Sequence, residues 1–143
     1  ALGGGGVRGL VTTGPAVAPV LVRGCCEVAV VSWAPHAGVL PHAFLVAPPG
    51  GPATVITGGA AHRPMVVMPH GRDQGDNARR LTERGAAVAL SRGSSSEKIA
   101  EAIRRVLDGE GYSRAAAHLG EQVRSAASSG ALADEVENLP NLR

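Results

Sequence analysis

Pro64-Met-Val-Val-Met-Pro-His-Gly-Arg-Asp-Gln-Gly-Asp-Asn-Ala-Arg-Arg-Leu-Thr-Glu-Arg-Gly85 decides the fold, because it joins an apolar run to a polar loop and then to a helix. Residues 65–68 are too few for a helix and read as a strand buried on both faces. Ala78, Leu81 and Gly85 fit a following helix and its C-terminal stop. His70, Arg72, Asp73, Gln74 and Asp76 fall between or just inside these elements. In an open parallel sheet a ligand binds beyond the carboxyl ends of the strands, where this loop belongs. Asp73 offers an acceptor, and Gln74 an amide that both donates and accepts, a pairing suited to vicinal hydroxyls. Asp is also a favoured helix cap, so Asp73 or Asp76 is expected to close the N-terminus of the helix through Ala78.

Outward from this stretch the same alternation continues. Residues 86–90 read as a strand. Ser94 with Glu97 makes a capping box, and Ile99, Ala102, Ile103, Val106 and Leu107 give the helix it opens one apolar face, with Gly109 and Gly111 expected to stop it. Tyr112, Ala116, Leu119 and Val123 mark another helix, and Leu132, Val136 and Leu139 a last one. Toward the N-terminus, strands are expected at 7–12, 28–32 and 44–47, with a linker at 17–24 and one helical turn near Val39-Leu40. A helix over 54–61 carries Gly58 and Gly59, each expected to weaken it by about 1 kcal/mol. Strands alternating with helices imply an α/β fold, a parallel sheet with helices on both faces.

The 143 residues fit one domain, and a domain of this size hides roughly 70% of the surface its unfolded chain exposes. Trp33, Phe44 and Tyr112 are the only aromatics among 44% hydrophobic residues, so the core must be built from Ala, Val, Leu and Ile. The net charge of +2 and the interleaved signs give no nucleic-acid footprint. Cys25 and Cys26 are adjacent, which strains any disulfide between them, and read as free thiols of a reducing compartment. No apolar run approaches the ~20 residues that span a bilayer, and no signal peptide is evident. The expected location is cytoplasmic.

Gly50-Gly51 follows a strand and precedes a helix, so a phosphate could approach the backbone and meet the first N–H groups of that helix, with a hydroxyl from Thr54. The plain alternative is a simple turn. Trp33 ends a strand; a sole tryptophan ordinarily belongs to the core, though its face also suits stacking on a base. The histidines at 36, 42, 62, 70 and 118 have no metal-ligand spacing, so no metal site is expected. No serine or cysteine stands in a nucleophile elbow.

Taken in order, Trp33-Ala-Pro-His36, Val39-Leu-Pro-His42, Gly50-Gly51 with Thr54, Pro64-Met-Val-Val-Met-Pro69 and Asp73-Gln74-x-x-Asn77-Ala78 resemble the donor-binding half of GT-B, family-1 glycosyltransferases, especially bacterial natural-product enzymes. The resemblance spans about residues 28–85. It implies a Rossmann-like half of a GT-B fold, apparently truncated at its N-terminus, in which 1–24 are a loop-rich lead-in, 25–110 the sheet and donor site, and 111–143 the C-terminal helices. It implies that Trp33 and His36 bind the nucleotide, Gly50, Gly51 and Thr54 the diphosphate, and Asp73 and Gln74 the sugar. The implied reaction moves a hexose from a UDP- or dTDP-sugar to a hydroxyl of a small-molecule acceptor, with no metal and no cofactor. The acceptor domain and its catalytic base are expected to lie outside this chain, leaving no catalytic residue within it and an inactive fragment.

The chain also departs from the family pattern. Pro49 stands where the family has a histidine beside the diphosphate, Ala53 replaces a glycine, Gly59 a large apolar residue and His62 a glycine. Weakened phosphate binding is the implied result. Two other readings follow: a degenerate, non-catalytic domain kept for its fold or for partner contacts, and a sugar-nucleotide epimerase of a related two-domain fold.

Overall fold

The computed structural model describes residues 7–19 and 27–130. Cys25, Cys26 and the helix expected around Leu132, Val136 and Leu139 lie outside these residues. The order is β1 (Gly9–Thr12), β2 (Val28–Val31), a short α1 (His36–Val39) running into a 3-10 turn (Leu40–His42), α2 (Pro52–Ala60), β3 (Met65–Val67), α3 (Gln74–Glu83), β4 (Ala87–Ala89), α4 (Ser96–Asp108) and α5 (Glu110–Ser128). Every strand pairing among the described residues is parallel: β1 with β2, β3 with β4, and Val46 with Met65.

β3 is the centre of the core because all three of its side chains are apolar and it has neighbours on both edges. Its alternating side chains divide the molecule into two layers. Met65 and Val67, with Ala87, meet Ala78 and Leu81 of α3, Val55 of α2 and Leu119 of α5. Val66 faces the other way, against Ala102, Ile103 and Val106 of α4, with Val88 and Tyr112 beside them. Each such fully buried aliphatic side chain contributes about 1.5–3 kcal/mol over its exposed state. Helices thus cover both faces of the β3–β4 layer, the arrangement the strand-helix alternation implied.

The expected third strand at 44–47 is reduced to its middle. Val46 donates to the Pro64 carbonyl at 3.1 Å and accepts from Val66 at 3.0 Å, and Pro48 accepts from the Met68 amide at 3.1 Å. Pro48 and Pro49 have no N–H with which to extend the ladder, and Phe44 turns outward, 81% exposed.

α3 ends as its sequence implied. Gly85 (φ 71) lets its own amide reach the Thr82 carbonyl at 2.9 Å and the Ala86 amide reach Leu81 at 3.0 Å, a Schellman closure. α2 ends by the same device with a histidine at the left-handed position: His62 (φ 61) donates to Gly59 at 2.8 Å and Arg63 to Gly58 at 3.0 Å. The His62 ring lies against Gly120 of α5, where a Cβ would also stand 2.5 Å from the Gly59 carbonyl. Its Nε2 is buried without a hydrogen bond, 3.7 Å from a carboxylate oxygen of Glu121. Gly58 lets α2 pack closely on β3: a Cβ there would stand 2.7 Å from the Met65 methyl, which would have to move aside.

Several local expectations are corrected. α2 starts at Pro52, two residues early, because proline suits the first helical position. The cap of α4 is Ser95, whose hydroxyl accepts from the Lys98 amide, while Ser94 turns back to the Ser91 carbonyl at 2.9 Å. Ser94 and Glu97 therefore form no capping box. Gly109 breaks the chain between α4 and α5, but Gly111 lies inside α5 and stops nothing.

Candidate functional site

The Gly50-Gly51 turn sits at the carboxyl end of β3. Gly50 has φ 96 and is buried; a Cβ on it would stand 2.9 Å from Cγ1 of Val67 and 3.1 Å from the Gln74 carbonyl oxygen. Only glycine accommodates both the left-handed backbone and this approach. The turn is thereby pressed between the end of β3 and the start of α3. Gly51 then caps α2 with an extended backbone, and the first bond within that helix runs from the Val55 amide to the Gly51 carbonyl at 3.0 Å. Proline at 52 has no N–H, so Ala53 and Thr54 supply the first unclaimed amides of the helix, the groups that an anion would meet.

Asn77 is the residue that ties this turn to the loop after β3. Its Nδ2 donates to the Gly50 carbonyl at 3.0 Å and to Oδ2 of Asp73 at 3.1 Å. Asp73 stands at the cap position of α3, yet its carboxylate makes no cap hydrogen bond. It turns to Asn77 instead, so the expected side-chain cap is absent. Gln74, the first helical residue, accepts the His70 amide on Oε1 at 2.8 Å, which leaves its NH2 group as the donor side. Arg72 holds a left-handed backbone (φ 55) that completes the tight loop.

Asp76 does not join this group. It pairs with Arg79 at 2.6 Å and with Nε of Arg80 at 2.9 Å on the outer face of α3. The hydrogen bond from Arg79 leads in holding its carboxyl below the usual carboxylate range, with the charge of Arg80 adding to it.

Trp33 follows β2 and is 73% exposed, so it is not a core tryptophan. His36 opens α1, also exposed. Among the described residues neither side chain hydrogen-bonds to the Gly50 turn or to the Asp73 loop. The structure therefore brings Gly50, Asp73 and Gln74 into one connected cluster, sets Gly51 and Thr54 at the head of α2 beside it, and leaves Trp33 and His36 on a separate segment. Asn77 has the central polar role, which the residue-by-residue reading did not assign. Its signal was the i,i+4 spacing from Asp73, which stacks the two side chains on one helix face.

Pro49 is exposed just before the turn, with neither imidazole nor N–H to offer. Gly59 and His62, by contrast, lie at the far end of α2 from the turn, in contact with α5. Among the described residues no helix is long and apolar enough to cross a membrane.

A parallel α/β layer of this kind forms one half of the GT-B glycosyltransferases of the bacterial natural-product class, and the chain's family and structural matches place it there. The chain belongs to the Erythromycin biosynthesis protein CIII-like, C-terminal domain family, whose model matches residues 16–139. It is similar to the spinosyn rhamnosyltransferase SpnG, with 27% identity over 96% of this chain and 38% of that one and a TM-score of 0.84. The calicheamicin glycosyltransferase CalG4 is 26% identical over 90% of this chain and 34% of its own, with a TM-score of 0.79. SnogD from Streptomyces nogalater is 29% identical over 88% and 35%, with a TM-score of 0.69. The chain spans about a third of the length of these solved structures. No curated protein matches it significantly.

Proposed function

We propose that this chain holds the nucleotide-sugar donor of a glycosyltransferase that moves a hexose from a UDP- or dTDP-sugar to a hydroxyl of a small-molecule acceptor. The observation that carries the reading is the single network joining the phosphate-type turn to the sugar-type loop: Asn77 bonds both the Gly50 carbonyl and the Asp73 carboxylate. In this reading the diphosphate lies against the amides of Ala53 and Thr54, the sugar hydroxyls meet Asp73 and the NH2 group of Gln74, and the base stacks on Trp33 near His36. SpnG has been solved with thymidine diphosphate and with spinosyn aglycone, and VinC with dTDP, which supports a thymidine nucleotide and a small-molecule acceptor as the ligands to try first.

The acceptor oxygen would form a bond to the anomeric carbon as that carbon's bond to the diphosphate oxygen breaks. The bonding pair leaves with the nucleoside diphosphate, and the hydroxyl proton passes to a base on the acceptor side, outside this chain. The head of α2 lowers the barrier by offering N–H groups and the positive end of its dipole to the charge that grows on the leaving group. Pro49 and Pro52 each remove a donor from this region, so donor binding is expected to be weak for a site of this type.

Calorimetric titration of the chain with dTDP- and UDP-sugars tests the reading. Binding is expected, and replacing Asp73 and Gln74 together by alanine should weaken it about tenfold, as loss of two or more hydrogen bonds to a buried hydroxyl pair would do. No heat at millimolar ligand, or binding indifferent to the double substitution, refutes it.

A further inference from the structure

We infer that Arg63 is a positioning residue that clamps the base-side segment, residues 33–42, to the corner where α2 meets β3, and so sets the spacing between the nucleoside and diphosphate ends of the donor site. The inference rests on the donor reading above. Arg63 lies outside every motif that carries the family resemblance. Its Nε donates to the Leu40 carbonyl at 3.0 Å and its Nη2 to the Pro41 carbonyl at 3.1 Å, across 23 and 22 residues of chain.

The two acceptors are successive carbonyls of the 3-10 turn: that of Leu40, which also takes the turn's own i→i+3 bond, and that of Pro41, which has no partner within the turn. Leu40 carries part of the load already, since its carbonyl also accepts the Ala43 amide at 3.2 Å and its side chain is 5% exposed. Pro41 has no other hydrogen-bonded partner among the described residues. A guanidinium presents its donors in a fixed planar fork, so one side chain can hold two successive carbonyls in one geometry. No carboxylate pairs with Arg63 among the described residues, and both of its side-chain hydrogen bonds go to this turn.

What makes the fork a clamp is how firmly its base is held. The Arg63 amide closes α2 through the Gly58 carbonyl at 3.0 Å, and the next residue, Pro64, accepts the Val46 amide at 3.1 Å. The backbone of Arg63 is thus fixed to the helix whose first turn is the proposed phosphate end and to the central strand. Trp33 and His36, by contrast, have exposed side chains that make no hydrogen bond among the described residues. Their place relative to the Gly50 turn depends on Leu40 burying itself and on Arg63 reaching across.

Hydrogen exchange read by mass spectrometry, with nucleotide titration beside it, tests this on Arg63→Met and Arg63→Lys. In Arg63→Met the amides of residues 38–43 should exchange about tenfold faster while those of Met65–Val67 keep their protection. Affinity for dTDP should fall about tenfold and affinity for inorganic pyrophosphate should stay, because only the base-side segment has been released. Arg63→Lys, with one point donor in place of the fork, should lie between and serves alone if the methionine variant does not fold. Unchanged exchange in 38–43, or dTDP and pyrophosphate affinity falling together in a folded variant, overturns the inference. If the unaltered chain binds no dTDP, the donor reading fails, while the exchange rates still decide whether Arg63 holds the segment.

Discussion

At the proposed sugar end of the site, Asn77 gathers the Gly50 carbonyl and the Asp73 carboxylate while Gln74 ties down the His70 amide. At the proposed base end, Trp33 and His36 stand in solvent on a segment secured through two carbonyls of the turn that follows them. The first end is preorganised by bonds among its own polar groups; the second leaves Trp33 and His36 unencumbered and is held from behind. A site divided in this way fixes the polar groups that must match hydroxyl directions. It leaves a flat stacking surface, which needs less angular precision, on the buried Leu40 and the Arg63 fork.

The sharpest way to break the contrast is Gly50→Ala. The left-handed backbone and the approach to Val67 and Gln74 should together cost about 2–4 kcal/mol in urea unfolding and abolish donor binding. Gly51→Ala is the control: its φ is −63 and a Cβ there meets nothing within 4 Å, so stability should fall only through the weaker capping of α2 by alanine, about 0.5–1 kcal/mol. Asn77→Ala comes next, expected to lose about 1–2 kcal/mol and to weaken sugar-nucleotide binding more than pyrophosphate binding, since it frees Asp73 as well as Gly50. Equal losses for the two ligands would erase the distinction between the ends.

The smallest effect belongs to Asp76→Asn. The carboxyl of Asp76 titrates lower in the folded chain than in the unfolded one, so its contribution is present above the ordinary carboxylate range and is lost as pH falls through the folded value. The variant should be slightly less stable at neutral pH, by an amount that shrinks with salt because the group is exposed, and should match the parent in strong acid. Its donor binding should not move, which separates the outer face of α3 from the ligand side.

The buried strand, the helix after it and the Gly85 stop were legible because each is written in consecutive residues: a solid apolar run, a 3.6-residue period, a glycine where φ turns positive. The apolar face of α4 was legible for the same reason, with Ala102, Ile103 and Val106 buried. What the sequence hid was choice among equivalent neighbours and reach across the chain. Ser94 and Ser95 are chemically identical caps, and only the path of the loop from Ser91 selects the second. Asp73 sits where a cap belongs, but an amide one turn away competes for its carboxylate. Phe44 and Val46 share a strand-like run, yet Phe44 turns outward and Pro48 and Pro49 offer no N–H, so only Val46 forms a bridge. Arg63 reads as an ordinary surface cation until the fold carries Leu40 and Pro41 to it.

Trp33 has a practical consequence. It is the only tryptophan of the chain, and its indole is largely bathed in water. Ultraviolet emission excited at the red edge of protein absorption therefore comes from one point, with no background from a core indole. That point lies on the segment whose position the site leaves least constrained. The chain carries its own optical label at the place where a stacked base would quench it.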